Sequence, residues 1–384
     1  MHLLVVVEDR ISDWMTKGEI LDGYFNPGAA FEKVTVLGLV ADQPDDGTVA
    51  RLCAPARHRY IPVGLDRRHL ALATVGLRYG LLSLSLRRLA SELTNDPPHV
   101  MRAYGDGLAA IATSIIADQT GIPFAVSLHT TPDALIQSQY LETRDRVWRR
   151  LAKFSGARAL RNANAVIAVY SPIVDFLPPD ISSKTWVIPN VVGIKGAPKA
   201  QDCETSPLRA IWVSRQMPGR DPRPVIAALR DVPEAILTLV GDGPLHESAR
   251  KTVLEYGLGD RVEVMRAVEN DRLCSLMPNF DVMLVNSCFR EMPKSVMEAS
   301  LSGVPVIINR SPAEDTKEYS GIPVVYVDGD ARSYASALRA LVTDTSRRQT
   351  LAQQTRESAW QLWDPAVAGS AAGDLLLNLA NGGQ

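Results

Sequence analysis

Short runs of valine, isoleucine and leucine alternate with longer helix-like segments along the whole chain. In the first half these runs predict strands near 3–7, 33–39, 99–103, 123–128, 164–169 and 185–188. Helical segments are predicted between them, near 17–24, 69–93, 106–120, 133–160 and 171–177. Alternation of this kind is typical of parallel sheets whose strands are joined by crossover helices. A second series of the same kind begins at 208, so the sequence predicts two similar α/β sheets in tandem.

The segment between the two series has the composition of a linker. Residues 196–207 contain glycine, proline and charged residues without apolar periodicity, which is typical of a hinge. A chain of 384 residues is long enough for two domains that each bury a core. We therefore expect one domain at 1–195 and another at 208–358, with two sheets that face each other across a ligand-binding cleft.

Composition excludes several classes of protein. The net charge is −2, so no overall basic field attracts nucleic acid. No apolar run approaches the roughly 20 residues that span a bilayer, and the acidic residues after the first strand argue against a signal peptide. The four cysteines form no CxxC pair, which argues against both a disulfide framework and a zinc site. The expected location is cytoplasmic.

The stretch 285–308 predicts a strand, a polar loop, a helix and a second strand. Pro293 suits the first helical position, and the helix is expected to end at Ser302. The first turn of such a helix combines unpaired N–H groups with the positive end of the helix dipole, and it binds anions in open α/β sheets. Lys294 and Ser295 would add a positive charge and a hydroxyl group to this anion site.

Glu298 lies one turn into the same helix, among small and apolar neighbours. A carboxylate can accept two hydroxyl protons, which suits a sugar diol. The alternative interpretation is a carboxylate that complements the helix dipole on a solvated face. The residues alone leave both interpretations open.

The motifs of this stretch resemble those of the family 4 retaining glycosyltransferases of the GT-B fold. The family signature has two glutamates followed by Gly-x-Pro-Val, and here Glu291 and Glu298 precede such a segment at 303–306. Seven residues usually separate the two glutamates, whereas six separate them here, so Arg290 occupies the usual place of the first one. Either Glu291 takes that role in a shortened loop, or the first glutamate is lost.

The resemblance implies two Rossmann-like doubly wound domains, with the last segment, 359–384, crossing back to the N-terminal domain. It implies transfer of a hexose-type sugar from a nucleotide diphosphate sugar, such as a UDP-sugar or GDP-sugar, with retention at the anomeric carbon. The acceptor would be an envelope glycan, a glycolipid or a small secondary metabolite. The resemblance implies no cofactor and no metal, because arginines would take the part of a cation.

Arg215 and Arg220 follow the strand that opens the second domain. Two guanidinium groups aimed at one spot would bind a diphosphate leaving group through charge-assisted hydrogen bonds, and ordinary surface arginines are the alternative. The family has two cations at these places, so we predict that both residues bind the diphosphate together with the helix at Pro293. Glu298 would then bind the ribose, and Glu291 the donor sugar.

Two further segments of the second domain are similar to family motifs. The glycine turn at Gly241 resembles the family's Gly-x-Gly-Pro turn and is expected to shape the pocket wall near the base. Arg266 stands where the family's backbone usually meets the nucleobase.

In the first domain, Lys17 and Gly18 follow the first strand, where doubly wound sheets place their first ligand loop. Gly18 permits close backbone approach and Lys17 offers a cation, although an ordinary turn is the alternative. His129 ends a strand, and the family often has a functional histidine there, so we predict that it contacts the transferred sugar on the acceptor side. Asn190 matches the asparagine that precedes the interdomain crossing.

Three alternatives remain open from the sequence. The basic segment 145–154 is either a solvated helix face or a peripheral contact with the inner face of a membrane. A nucleotide-sugar 2-epimerase has the same two-domain organisation, but it needs acid/base groups, of which His129 is the visible candidate. The irregular loop at Glu291 also suits a catalytically inactive GT-B subunit that binds nucleotide.

Overall fold

The computed structural model describes residues 1–16, 19–65, 86, 93, 96–131, 156–194 and 207–383. The chain divides into two units, the first made of Met1–Val191 with Pro365–Gln384 and the second of Val192–Asp364. Each unit holds one parallel sheet, so the prediction of two Rossmann-like α/β domains is confirmed. The predicted linker lies outside the described residues except for Pro207.

The first unit is built on seven strands: β1 (His2–Val7), β2 (Lys33–Val40), β3 (Arg57–Leu65), β4 (Val100–Tyr104), β5 (Phe124–Leu128), β6 (Ala165–Ala168) and β7 (Thr185–Val187). They are all parallel and stand in the order β3-β2-β1-β4-β5-β6-β7. The strands β1, β4, β5 and β6 are buried along their whole length, as expected for apolar runs covered on both faces. The strand order reverses between β1 and β4, which makes that point the switch point of the sheet.

The described helices of this part are α1 (Ile11–Thr16), α2 (Asp46–Cys53), α3 (Leu108–Thr120) and α4 (Pro179–Ser182), with 3-10 turns at Pro27–Ala29 and Ser171–Phe176 and a helical stretch at 156–162. The predicted helix at 17–24 is wrong, because the described part of that segment, 19–24, forms loop and turn. Both α2 and β3 were missed. In the edge strand β3 only Ile61 and Leu65 are buried, so it lacks the continuous apolar run that marks the inner strands.

The second unit has six strands: β8 (Leu208–Val213), β9 (Ala235–Val240), β10 (Val262–Met265), β11 (Val282–Val285), β12 (Val306–Asn309) and β13 (Val324–Val327). Their order is β10-β9-β8-β11-β12-β13, again all parallel. The order reverses between β8 and β11. The core includes Trp212 and Tyr334, and the Tyr334 hydroxyl donates to the carbonyl of Val285 at 2.6 Å.

The helices of the second unit are α5 (Arg223–Ala228), α6 (His246–Glu255), α7 (Asn270–Leu276), α8 (Lys294–Leu301), α9 (Arg310–Ala313), α10 (Lys317–Ser320), α11 (Ala331–Thr343) and α12 (Thr345–Trp363), with 3-10 turns at Leu229–Asp231 and Met277–Asn279. The domain end expected at 358 falls inside α12, which continues to Trp363. It ends there because proline disfavours a helical conformation at the residue before it, and Pro365 instead begins the next helix.

The last helix, α13 (Pro365–Ala380), belongs to the first unit. Its glycines let it approach the turn Pro27–Ala29 closely. A Cβ atom at Gly28 would lie 2.9 Å from the carbonyl oxygen of Gly369, and one at Gly373 would lie 2.7 Å from that of Pro27. Leu376 then packs into the core of the first unit.

No helix among the described residues combines the length and the apolar character that crossing a bilayer requires. The helices predicted at 69–93 and 133–160 fall largely outside those residues, and the basic segment 145–154 does so entirely. Peripheral membrane contact therefore stays a prediction from the sequence.

Candidate functional site

The candidate site of the second unit lies at the carboxyl ends of β8 and β11, on either side of the switch point. Ligands of open α/β sheets bind at this position because the loops diverge there and leave a crevice. Arg215 and Arg220 lie in the loop after β8, and Glu291 and Pro293 lie in the loop after β11. The fold thus brings four predicted residues from two distant segments to one edge of the sheet.

A tight turn at Met217–Arg220 positions the Arg220 side chain. The N–H group of Arg220 donates to the carbonyl of Met217 at 2.8 Å, and Gly219 follows Pro218 with a φ of +88°, as in a type II turn. The N–H group of Cys288 donates to the carbonyl of Gly219 at 2.7 Å. This hydrogen bond ties the turn to the loop that carries Glu291.

Arg220 and Glu291 form a bidentate ion pair that the sequence did not predict. Nε of Arg220 donates to Oε1 of Glu291 at 2.8 Å, and Nη2 donates to Oε2. The Ser287 hydroxyl also donates to Oε1, at 2.8 Å. The Glu291 side chain is only 12% exposed, so removing either partner would leave a largely buried charge uncompensated. In this structure Arg220 therefore holds Glu291 in place, whereas the sequence assigned the two residues to different parts of a ligand.

The side chain of Arg215, unlike that of Arg220, is exposed. It makes no hydrogen bond or ion pair with any residue in the described part of the chain. Its backbone is nevertheless fixed, because the N–H group of neighbouring Gln216 donates to the carbonyl of Asp242 at 2.9 Å. The Gln216 side chain donates in turn to the carbonyl of Gly241 at 2.8 Å. A guanidinium group that forms no such bond with the described residues, on a loop with a fixed backbone, is suited to binding an anionic ligand.

Gly241 and Gly243 allow the loops after β8 and β9 to touch through their backbones. A Cβ atom at Gly241 would lie 1.9 Å from the carbonyl oxygen of Ser214, and one at Gly243 would lie 2.2 Å from that of Gln216. Both glycines also have positive φ angles, +143° and +146°, which other residues rarely adopt. Gly241 therefore permits the close backbone contact that holds the Arg215 loop in place. The sequence did not indicate this structural role.

The helix α8 begins with an uncapped first turn. The prediction that Pro293 is the first helical residue is wrong by one position, because Pro293 is extended (φ −65°, ψ +141°) and the helix starts at Lys294. Proline has no side-chain acceptor, so no side chain caps the turn. Among the described residues, none accepts a hydrogen bond from the N–H group of Ser295. The positive end of α8 therefore remains available to an anion.

The Ser295 side chain is used differently from the prediction. Its hydroxyl donates to the carbonyl of Val213, the last residue of β8, at 3.0 Å. This contact draws α8 against the strand, so Ser214, Pro293 and Ser295 line one small cavity. The hydroxyl proton is therefore engaged by β8, and Ser295 can serve an anion through its backbone N–H group.

Glu298 is buried, with 2% of its surface exposed. Its Oε1 atom accepts a hydrogen bond from Nδ2 of Asn270 at 2.8 Å, at the start of α7. Burial raises the pKa of Glu298, while the Asn270 amide and the nearby Lys294 ammonium oppose this rise. The alternative of a solvated carboxylate is wrong. Asn270 lies 28 residues from Glu298, and nothing local in the sequence indicated this partner.

Arg266 lies at the same edge of the sheet, after β10. It donates from Nη1 to Oδ1 of Asp242 at 2.8 Å and from Nη2 to Oε1 of Glu247 at 2.9 Å. All three side chains are more than half exposed, so these ion pairs contribute little to stability. A base contact by this segment stays a prediction.

A cavity of about 340 Å³ lies in the first unit, between its sheet and α13. His129 and Asn190 both line it, so two predicted residues share one pocket. The imidazole ring of His129 stacks on the ring of Tyr104, with centroids 5.4 Å apart and an angle of 11° between the planes. The Tyr104 hydroxyl donates to the carbonyl of Tyr24 at 3.0 Å, and burial raises the pKa of Tyr104. The other two predicted residues of this domain, Lys17 and Gly18, lie outside the described residues.

The switch point of the first unit is filled by the protein's own carboxylate. Glu8 directly follows β1, and its Oε2 atom accepts the N–H group of Ala109, in the first turn of α3, at 3.0 Å. A Cβ atom at position 107 would lie 2.6 Å from this oxygen, which accounts for Gly107. Burial raises the pKa of Glu8 to about 7. Because a carboxyl group of the protein already accepts an N–H group at this helix start, the corresponding crevice of the second unit is the better anion site.

We expect the Glu8 carboxylate to make folding pH-dependent. Its pKa in the folded state is about 7, against 4.5 for an ordinary glutamate, so its stabilising effect is complete below about 4.5 and is lost as the pH rises through 7. Between pH 5 and pH 8 the free energy of unfolding of the wild type should fall by on the order of 1 kcal/mol more than that of Glu8→Gln. Urea titrations across this range would measure the difference. Asp118→Asn, which removes an exposed charge near the far end of α3, is the control, and equal slopes for wild type and Glu8→Gln would contradict the assignment.

No group of three or more histidine, cysteine, aspartate or glutamate side chains in the described ranges could hold a metal ion. Metal-independent chemistry stays a prediction.

Comparison with known proteins gives one family match, confined to the second unit. Residues 223–344 match the family model described as "Glycosyl transferases group 1". A 2-deoxystreptamine N-acetyl-D-glucosaminyltransferase of Streptomyces fradiae is 28% identical over 302 residues, covering 72% of this chain and 71% of that protein. A 2-deoxystreptamine glucosyltransferase of Streptomyces kanamyceticus is 26% identical over 253 residues, covering 60% and 65% of the two chains.

Among solved structures, the Anabaena protein HepE in complex with UDP is similar over 98% of this chain and 100% of its own, with a TM-score of 0.69 and 17% identity. Together with the two parallel sheets, this likeness shows the GT-B fold. The family match and the Streptomyces relatives support a glycosyltransferase. Membership of family 4, implied by the sequence resemblance, stays a prediction.

Proposed function

We propose that this chain is a retaining glycosyltransferase that moves a hexose-type sugar from a nucleoside diphosphate sugar to an acceptor. The observation that carries the proposal is the uncapped start of α8 at the switch point of the second unit, beside the loop of the exposed Arg215. A pyrophosphate bound there would accept hydrogen bonds from the first turn of α8 and a charge-assisted bond from Arg215.

The same contacts would assist the reaction. Cleavage of the bond between the sugar and the diphosphate leaves negative charge on the departing oxygen, which the dipole of α8 and the Arg215 guanidinium group would stabilise. These groups are already in position before the reaction, so no reorganisation is needed when the charge develops. In this proposal the leaving group is stabilised without a bound metal, and no protein nucleophile is required.

Two glutamates would orient the donor. Glu298, held by Asn270, has the acceptor oxygens that a ribose diol needs. Glu291, held by Arg220 and Ser287, would contact the donor sugar, which favours the shortened loop over a lost first glutamate. His129 and Asn190 would contact sugar groups in the pocket of the first unit, and that unit would supply the acceptor site. UDP-sugars are the first donors to test, because HepE was solved with UDP.

The test is a panel of UDP- and GDP-sugars incubated with the protein, with and without glucose-type and lipid-linked acceptors. We expect release of the nucleoside diphosphate from one donor, in the presence of EDTA, and a product whose anomeric coupling constant by NMR equals that of the donor. Inversion at C2 of the sugar without transfer would instead identify an epimerase. Nucleotide binding without turnover of any donor would identify an inactive subunit, and either result would contradict the proposal.

A further inference from the structure

Arg102 is a charged residue in the middle of a buried apolar strand. It lies in β4, which reads Val-Met-Arg-Ala-Tyr, and pairs in register with Val5 of β1. Only 7% of its surface is exposed. An arginine side chain keeps its charge at any pH at which the protein is folded. Placing a guanidinium group here therefore costs free energy unless an anion or several acceptors surround it.

Few contacts in the described part of the chain offset the positive charge of Arg102. Its Nε atom donates to the Ser127 hydroxyl at 2.8 Å, and its Cζ atom lies 4.6 Å from the centre of the Tyr104 ring. Within the described ranges, no carboxylate oxygen lies within 4.0 Å of its nitrogens. These contacts orient the guanidinium group, but they leave its charge unneutralised.

The guanidinium group faces the 340 Å³ cavity that His129 and Asn190 also line. Asp22 is the acidic residue of that lining, and its carboxylate accepts a hydrogen bond from Nε of Arg51 at 2.8 Å. The negative charge at the rim is thus already paired with a cation. The described wall of the cavity therefore presents one buried, uncompensated positive charge among apolar, aromatic and amide groups.

We propose that this cavity binds an anionic group of the acceptor, a carboxylate or a phosphate ester, and that Arg102 recognises it. The inference rests on the proposed function, because it names the class of acceptor for the same reaction. Arg102 offers a planar set of N–H donors that matches either anion, and Asn190 offers donors and acceptors for neighbouring hydroxyl groups. The cavity volume lies within the range of small-ligand pockets.

A matched set of small sugars tests the inference without a donor. Glucose 6-phosphate, glucose and glucosamine have similar size and differ mainly in charge, and each would be titrated into the full chain by calorimetry. We expect glucose 6-phosphate to bind at least tenfold more tightly than glucose, and glucosamine to bind most weakly. Equal affinities, or a preference for glucosamine, would overturn the proposal. The wild-type protein alone gives this result, so it does not depend on a variant that folds.

Variants and competition then assign the binding to Arg102. Arg102→Gln should bring the affinities for glucose 6-phosphate and glucose within about twofold, and Arg102→Lys should restore part of the preference because it keeps the charge. UDP in excess should not displace glucose 6-phosphate. Displacement by UDP would show that the anion site serves the donor and would overturn the inference. Because donor turnover is assayed separately, loss of turnover with intact anion binding would contradict the proposed function alone.

Discussion

Replacing Gly241 by alanine is expected to destabilise the second unit by about 3 kcal/mol or more. The added Cβ atom would lie 1.9 Å from the carbonyl oxygen of Ser214, and no side-chain rotation can separate them, because the backbone fixes the positions of both atoms. The φ angle of +143° adds backbone strain for any residue other than glycine. The loops after β8 and β9 would have to separate, which combines overpacking with the loss of their hydrogen bonds. Urea unfolding followed by fluorescence and circular dichroism would measure the change.

Gly257 provides a matched control in the same unit. It also has a positive φ angle, +65°, but a Cβ atom there would meet no atom within 4 Å. Gly257→Ala should therefore cost only about 1 kcal/mol, the strain of a left-handed residue. Equal losses of stability in the two variants would mean that the close approach of the loops to Gly241 does not constrain the fold.

Arg215→Ala is expected to lower kcat/KM for the nucleotide sugar by about 100-fold, or ~2.7 kcal/mol in transition-state stabilisation. The guanidinium group would otherwise offset the charge that develops on the leaving diphosphate. Stability should be unchanged, because the side chain is exposed and contacts no described residue through a hydrogen bond or ion pair. Steady-state kinetics and urea unfolding of the same preparation would separate the two effects.

Variants of two other arginines, Arg250 and Arg220, serve as comparisons for Arg215→Ala. Arg250→Ala removes an exposed cation from α6 and should leave both turnover and stability at wild-type values. Arg220→Ala should lower turnover and also stability, because it leaves the Glu291 carboxylate largely buried without its partner. A wild-type rate for Arg215→Ala would remove this residue from the site.

The sequence predicted the two sheets and the positions of the site motifs, because both depend on local patterns. Continuous apolar runs mark the inner strands, and a proline followed by a lysine marked the start of α8 to within one residue. The edge strand β3 was missed for the same reason, since its pattern is that of a half-exposed strand with charged residues.

The partners of the site residues could not be predicted, because they depend on the order of strands in the sheet. Arg220 meets Glu291 across 71 positions of sequence, and Ser295 donates to a residue 82 positions away. Local reasoning could assign each of these groups only to a ligand, whereas in the structure each also forms a hydrogen bond with a distant part of the protein. Arg102 did carry a signal, since a charged residue within an apolar run is costly and needs a partner.

Calorimetric titration of UDP into the wild type, Arg215→Ala and Arg250→Ala tests most directly whether the start of α8 is a diphosphate site. The account predicts that wild type and Arg250→Ala bind UDP equally, that Arg215→Ala binds it at least tenfold more weakly, and that added salt narrows the difference. The account would be contradicted if Arg215→Ala bound UDP as tightly as the wild type. It would also be contradicted if the wild type bound neither UDP nor GDP.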